Sequence, residues 1–99
     1  MKKDNILHTK SYKFAIRVVK LSQYLVDEKK EYILSKQILR SGTSVGALVS
    51  ESKFAQYWIN LLHDTKYITI DMHKSLYADI DELISLLVSI TKTIKNKGI

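Results

Sequence analysis

The amino-acid sequence predicts an all-α protein, a small helical bundle of the four-helix kind, and two observations carry that expectation. The 99 residues include no Pro and only three Gly, where average usage would supply about five and seven. A many-stranded sheet needs turns, and so little punctuation cannot supply them. The apolar residues recur at intervals of four and three, the spacing that gathers side chains on one side of a helix. Hydrophobic residues at 45% and charged residues at 26% are ordinary globular values, which excludes wholesale disorder. The length suits a single domain, 1–99, able to bury roughly 65% of the surface its unfolded form exposes.

The first helix is expected over 9–28. Phe14, Val18, Leu21 and Leu25 form one narrow stripe, and Tyr12, Ile16 and Val19 form a second on the opposite side. One stripe packs inside a bundle; the other asks for a further surface. Residues 27–31 are polar and make a short connection, which implies antiparallel neighbours.

The second helix is expected over 32–63. Leu34, Ile38, Ser41, Val45, Leu48, Ser52 and Ala55 keep one heptad phase through the run Ser41-Gly42-Thr43-Ser44-Val45-Gly46-Ala47. That run is poor helix-forming material, since each Gly costs about 1 kcal/mol against Ala. Gly42 and Gly46, one turn apart, would let another backbone approach closely; a kink or loop there is the alternative. The apolar pattern then continues past Gln56 through Tyr57, Trp58, Ile59, Leu61 and Leu62 without a break signal.

Residues 64–69 read as the next connection, with Thr69 or Asp71 as the N-cap of a third helix over 71–96. Leu76, Ile80, Leu83, Leu87, Ile90 and Ile94 supply its stripe. Acids gather at its start and lysines at its end, which complements the helix dipole.

The formal net charge is +6, and it is unevenly placed: residues 1–56 carry all of it, and 57–99 sum to zero. A basic chain suits a polyanionic partner, although solubility alone also makes small proteins basic. Lys10, Lys13, Arg17 and Lys20 follow 3-4-3 spacing on one flank of the first helix with no acid nearby in sequence, and Lys36 and Arg40 lie one turn apart on the second. A solvated flank bordering the core gives the same pattern; the sharper expectation is a phosphate-facing strip.

Catalysis finds little support. Without Cys there is no thiolate site and no cysteine nucleophile. His8, His63 and His73 are never four apart, so no helical metal pair forms. His63-Asp64 could be drawn as a base and its orienter, but a His at a helix end is more simply a cap. Asp79, Asp81 and Glu82 point different ways on a helix. The Gly-containing run lacks the Lys-Ser/Thr ending of a phosphate loop, and Trp58, inside an apolar run, is expected as a core anchor rather than a base-stacking platform. The sequence therefore implies no enzyme, metal, cofactor or small-molecule substrate. No apolar stretch approaches the roughly 20 residues of a membrane span. Asp4, His8, Lys10 and Lys13 stand where a signal peptide would be apolar, so a cytoplasmic location is expected.

Several stretches together carry a resemblance. Lys10-Ser11-x-x-Phe14-Ala15, Leu34 to Ala47 (LSKQILRSGTSVGA) with Glu51-Ser52, Tyr57 to Leu62 (YWINLL) and Ser75 to Leu83 (SLYADIDEL) resemble the four-helix-bundle proteins encoded within intervening sequences of 23S ribosomal RNA genes. The likeness runs from Lys10 to Lys95, and Leu-Arg-Ser-Gly-Thr-Ser is its most specific part. That family in turn resembles the accessory proteins of diversity-generating retroelements, which are basic, pentameric rings that bind nucleic acid and a reverse transcriptase. The resemblance implies a four-helix fold, a homo-oligomer (a pentamer by that likeness) and a nucleic-acid or polymerase partner.

The sequence departs from the family where Gln56 joins Tyr57, since on the order of twenty residues, about a helix's worth, are absent there. A fused helix over 33–63 would span about 46 Å and overhang a globule whose radius of gyration is near 13 Å. The expectation is then three helices per chain, with 57–96 packing on a partner's 10–56 in a domain-swapped or interlocked homo-oligomer. A break near residue 56 that keeps a short third helix in one chain is the rival. The leading functional expectation is a non-enzymatic nucleic-acid-binding oligomer with Lys10, Lys13, Arg17, Lys20, Lys36 and Arg40 on phosphates. The alternative is a module that docks a partner protein such as a polymerase or reverse transcriptase.

Overall fold

In the computed structural model four helices follow one another: α1 (Lys2–Asp27), α2 (Leu34–Gly42), α3 (Val49–Asp64) and α4 (Ile70–Lys97). The structure describes the backbone of residues 2–46 and 48–97 and the side chains of 5–46 and 48–92. The expected contributions of Ile94, Lys95 and Lys97 lie outside the described side chains. Each helix packs on two neighbours in the cyclic order α1, α2, α3, α4, and neither diagonal pair approaches. Short connections make successive helices antiparallel, and the bundle measures 50 × 22 × 20 Å.

The single helix expected over 32–63 is corrected to two. α2 ends at Gly42 and α3 begins at Val49, so the break falls at the glycine-containing run and not near Gln56, which lies inside α3. The run itself supplies the stop. Thr43 Oγ1 donates to Leu39 O (2.7 Å) and Ser44 Oγ to Arg40 O (2.9 Å), so local hydroxyls hold carbonyls at the end of the helix. Leu48 then takes an extended conformation (φ −141°, ψ 146°) that launches α3. Of the expected heptad, Ile38, Ser41, Val45, Ser52 and Ala55 are buried all the same, whereas Leu48, in the connection, is 58% exposed. A hairpin that folds back on itself returns the same side to the core.

With the fused helix gone, the domain swap loses its premise: α3 closes on α2 and α4 on α1 within one chain. The core is Phe14, Val18, Leu21 and Leu25 of α1, Ile38 and Val45, Ala55, Ile59 and Leu62 of α3, Ile68, and Leu76, Ile80, Leu83 and Leu87 of α4. The stripes expected on the first and last helices thus face inward.

Gly42 explains part of the most family-specific stretch. A Cβ built there would stand 2.6 and 2.7 Å from the two γ-methyls of Val18, so α2 presses on α1 at a point where no side chain fits. Other ends are locally capped. Glu31 Oε1 accepts the Ser35 N–H (2.8 Å) at the start of α2. Thr69 Oγ1 accepts the Met72 N–H (3.2 Å) at the start of α4, one of the two caps expected. α3 ends with the Tyr67 N–H on Leu62 O and the Lys66 N–H on His63 O (both 2.9 Å). This is a Schellman motif with Lys66 at φ 69° in the left-handed position.

Candidate nucleic-acid interface

The basic flank of α1 faces α4. Lys10 Nζ lies 3.1 Å from Glu82 Oε1. The Arg17 guanidinium pairs with Asp79 and reaches Ser75 Oγ (2.8 Å) and Ser75 O (3.4 Å). Ser75, Asp79 and Glu82 stand at helical intervals of four and three, so one side of α4 supplies all three partners. The expectation that no acid neutralises the flank is therefore corrected for two of its four members. Acids 62 and 72 residues away in sequence do so, which no local reading could find. The acid-rich start of α4, assigned above to the dipole, also serves this cross-helix pairing. Both pairs are substantially exposed and contribute about 1 kcal/mol or less each.

Lys13 and Lys20 stay exposed on the same flank, and Lys36 and Arg40 stay exposed on α2. Among the described residues none of these four makes an ion pair. The structure does not gather all six candidates into one strip. The α1 flank borders α4, whereas α2 packs against the other flank of α1, where Ser22 Oγ donates to Ser35 O (3.3 Å) and Gly42 meets Val18. Lys36 and Arg40 thus belong to a different side of the bundle.

Two exposed apolar faces accompany these charges. On α1, Tyr12, Ile16 and Val19 are 65%, 42% and 39% exposed, so among the described residues nothing covers the second stripe. On α3, Phe54 and Tyr57 are 51% and 57% exposed. For the Tyr57-Trp58 stretch the sequence favours a core anchor over a base-stacking role, and the two rings divide: Tyr57 is exposed. The anchor is Trp58, which is half-buried against the core.

Two imidazoles meet at the α3–α4 seam, a pairing the sequence does not show because a turn separates them. The His63 and His73 rings lie 4.7 Å apart, Tyr77 is 5.4 Å beyond His73, and His63 Nδ1 sits 3.4 Å from Asp64. The Nε2–H of His73 donates to Asn60 Oδ1 (2.8 Å), while its Nδ1 is buried without a partner. Burial and, second, neighbouring His63 hold the His73 pKa below its ordinary value, and Asp64 opposes them. Among the described residues no three metal-ligating side chains converge. No described helix is long and apolar enough to cross a membrane.

No family model matches the sequence, and no curated protein matches it. A solved structure does: a protein of unknown function from the S23 ribosomal protein family of Bacteroides thetaiotaomicron. It is 40% identical, with a TM-score of 0.89, and the match covers 91% of this chain and 98% of that one. Likeness at that level of identity and coverage extends beyond fold, and the chain belongs to the S23 ribosomal protein family.

Proposed function

We propose that this protein is a non-enzymatic basic bundle that binds nucleic acid through phosphate contacts and assembles with copies of itself. The observation that carries the binding half is the surplus of unpaired cations. Lys10 and Arg17 are engaged by α4, yet Lys13, Lys20, Lys36 and Arg40 remain exposed and, among the described residues, without an ionic partner on a chain of net charge +6. Such groups supply affinity without reading sequence. The family name points to the ribosome, an RNA-containing particle. The resemblance to proteins of 23S intervening sequences and to retroelement accessory proteins points the same way.

Assembly rests on the α1 stripe of Tyr12, Ile16 and Val19, an apolar face turned away from the chain's own core. Contact between copies buries it. The same stripe also favours a second reading, in which a partner protein such as a polymerase docks there.

Four phosphate contacts give a slope of log K against log salt of about −3.6 on duplex DNA and about −2.8 on a single strand. Replacing Lys13, Lys20, Lys36 and Arg40 together by Glu should abolish retention of RNA and DNA at near-physiological salt while helicity is kept. Unchanged affinity would overturn the phosphate reading. Binding of a protein partner that is insensitive to salt and to these changes would favour the second.

A further inference from the structure

The outward side of α3 carries a feature that phosphate contact does not use. Phe54 and Tyr57, three residues apart and therefore neighbours on the helix surface, both present their rings to solvent. Trp58 braces Tyr57 edge-on, with centroids 4.9 Å apart and planes at 77°. These rings, with Ser50 and Lys53, line an open, almost wholly apolar depression of about 550 Å³.

The charges around this shelf indicate its occupant. Lys53 is exposed beside Phe54 on the same helix, and Lys36 and Arg40 project from α2 next door. The bond from Ser52 Oγ to Val45 O (3.0 Å) ties the connection after α2 to the first turn of α3. None of the three cations has an ionic partner among the described residues. Glu51, the acid in the first turn of α3, has its Oε2 buried. A second copy of the chain fits this surface poorly, because its own apolar stripe on α1 is bordered by Lys13 and Lys20 and would bring like charge to like. Flat aromatic faces framed by cations suit a ligand of stacked rings joined by anions.

We propose that Phe54 and Tyr57 form a stacking platform for unpaired bases of a single-stranded nucleic acid, with Lys53, Lys36 and Arg40 on the flanking phosphates. Every base offers a π-face, so the platform accepts single strands with little regard to sequence. A duplex keeps its bases stacked and is held by phosphate contacts alone. This inference rests on the nucleic-acid reading above and adds to it a preference for single strands.

The test uses the full chain, fluorescence anisotropy, and two labelled probes of equal length: a poly-U single strand and a mixed-sequence RNA duplex. Phe54→Ala and Tyr57→Ala should each weaken single-strand binding between about 5- and 100-fold, with duplex affinity unchanged within about twofold and the salt slope preserved. Tyr57→Phe, which keeps a ring, should bind like the parent. Both rings are exposed, so these variants should fold, and circular dichroism verifies it. Unchanged single-strand affinity in both alanine variants would overturn the platform and leave phosphate binding intact. Equal losses on both probes would overturn it as well, as would a change in native mass without a change in binding, which would make this face a contact between copies. Failure of the parent protein to bind either probe would remove the underlying reading, and the platform with it.

Discussion

Replacing Gly42 by Ala tests how tightly α2 is seated on α1. In an isolated helix the change would stabilise by about 1 kcal/mol, because Ala is the better helix former. Here the new methyl would have Val18 as its three nearest neighbours, at 2.6, 2.7 and 3.0 Å, against ordinary contacts of about 3.5 Å or more. Val18 has no exposed surface and cannot retreat, and as a β-branched residue in a helix it is confined to essentially one rotamer. Three contacts this short put the cost in the upper half of the about 1–3 kcal/mol that overpacking takes, so after the helix-propensity gain the net expectation is a loss of about 1–2 kcal/mol. For a domain of this size that is a melting temperature lower by about 5–15 °C. Urea denaturation followed by helical circular dichroism measures it. Val18→Ala alone should cost about 2 kcal/mol, but combined with Gly42→Ala it should cost clearly less than the sum, because the vacated methyl space receives the new one. Gly46→Ala is the milder contrast: its neighbours are the Ser11 hydroxyl at 2.9 Å and Ser11 Cβ at 3.1 Å, so the hydroxyl must rotate and the carbon give by a few tenths of an ångström, and the change should cost clearly less than Gly42→Ala. A Gly42→Ala protein as stable as the parent, or strict additivity with Val18→Ala, would refute the close-approach argument.

Further outcomes follow from other details. Lys66→Gly should stabilise by up to about 1 kcal/mol by chemical denaturation, since the left-handed conformation strains an L side chain and not Gly. Ser41 and Ser52 are equally buried, but Ser41 Oγ has no partner and Ser52 Oγ is bonded to Val45 O. Ser41→Ala should therefore be neutral or stabilising and Ser52→Ala should cost about 1 kcal/mol, read from the same urea curves. His73 has a folded-state pKa below the ordinary 6.5, so the unfolded chain takes up the proton first. Its contribution is intact above about pH 6.5 and lost as pH falls through the window below it. Denaturation midpoints at pH 7.5 and 5.5 should differ more for the parent than for His73→Gln. In a double-mutant cycle, Arg17→Ala with Asp79→Ala should return a coupling of about 1 kcal/mol or less that shrinks in high salt.

Helical periodicity was legible wherever a helix buries a continuous stripe. The α1 stripe from Phe14 to Leu25 and the α4 stripe from Leu76 to Leu87 could be named from spacing alone, because a 3.6-residue repeat has one inward solution. The α2–α3 hairpin was not legible. Its heptad phase survives a reversal of direction, and the break depends on Thr43 and Ser44 hydroxyls outcompeting continuation, a balance of roughly 1 kcal/mol per residue. The end of α3 was legible to within one residue, 63 expected and Asp64 observed, although Lys66 and not Gly takes the left-handed position. The candidate cations were legible as residues but not as a surface, since Asp79 and Glu82 reach them across the bundle. The His63–His73 stack likewise exists only once two helices meet.

The square arrangement of the helices leaves the molecule electrically lopsided. The formal charges of α1 and α2 together sum to +6 and those of α3 and α4 to −1, so one side of the square is basic and the other is not. The bundle thus carries a transverse dipole moment, and in the field of a polyanion it feels a torque before any contact is made. That torque turns the α1–α2 side forward, so collisions are pre-aligned and productive encounters outnumber those of a uniformly charged rod. The advantage reaches only as far as the ionic atmosphere allows, about 8 Å at physiological salt.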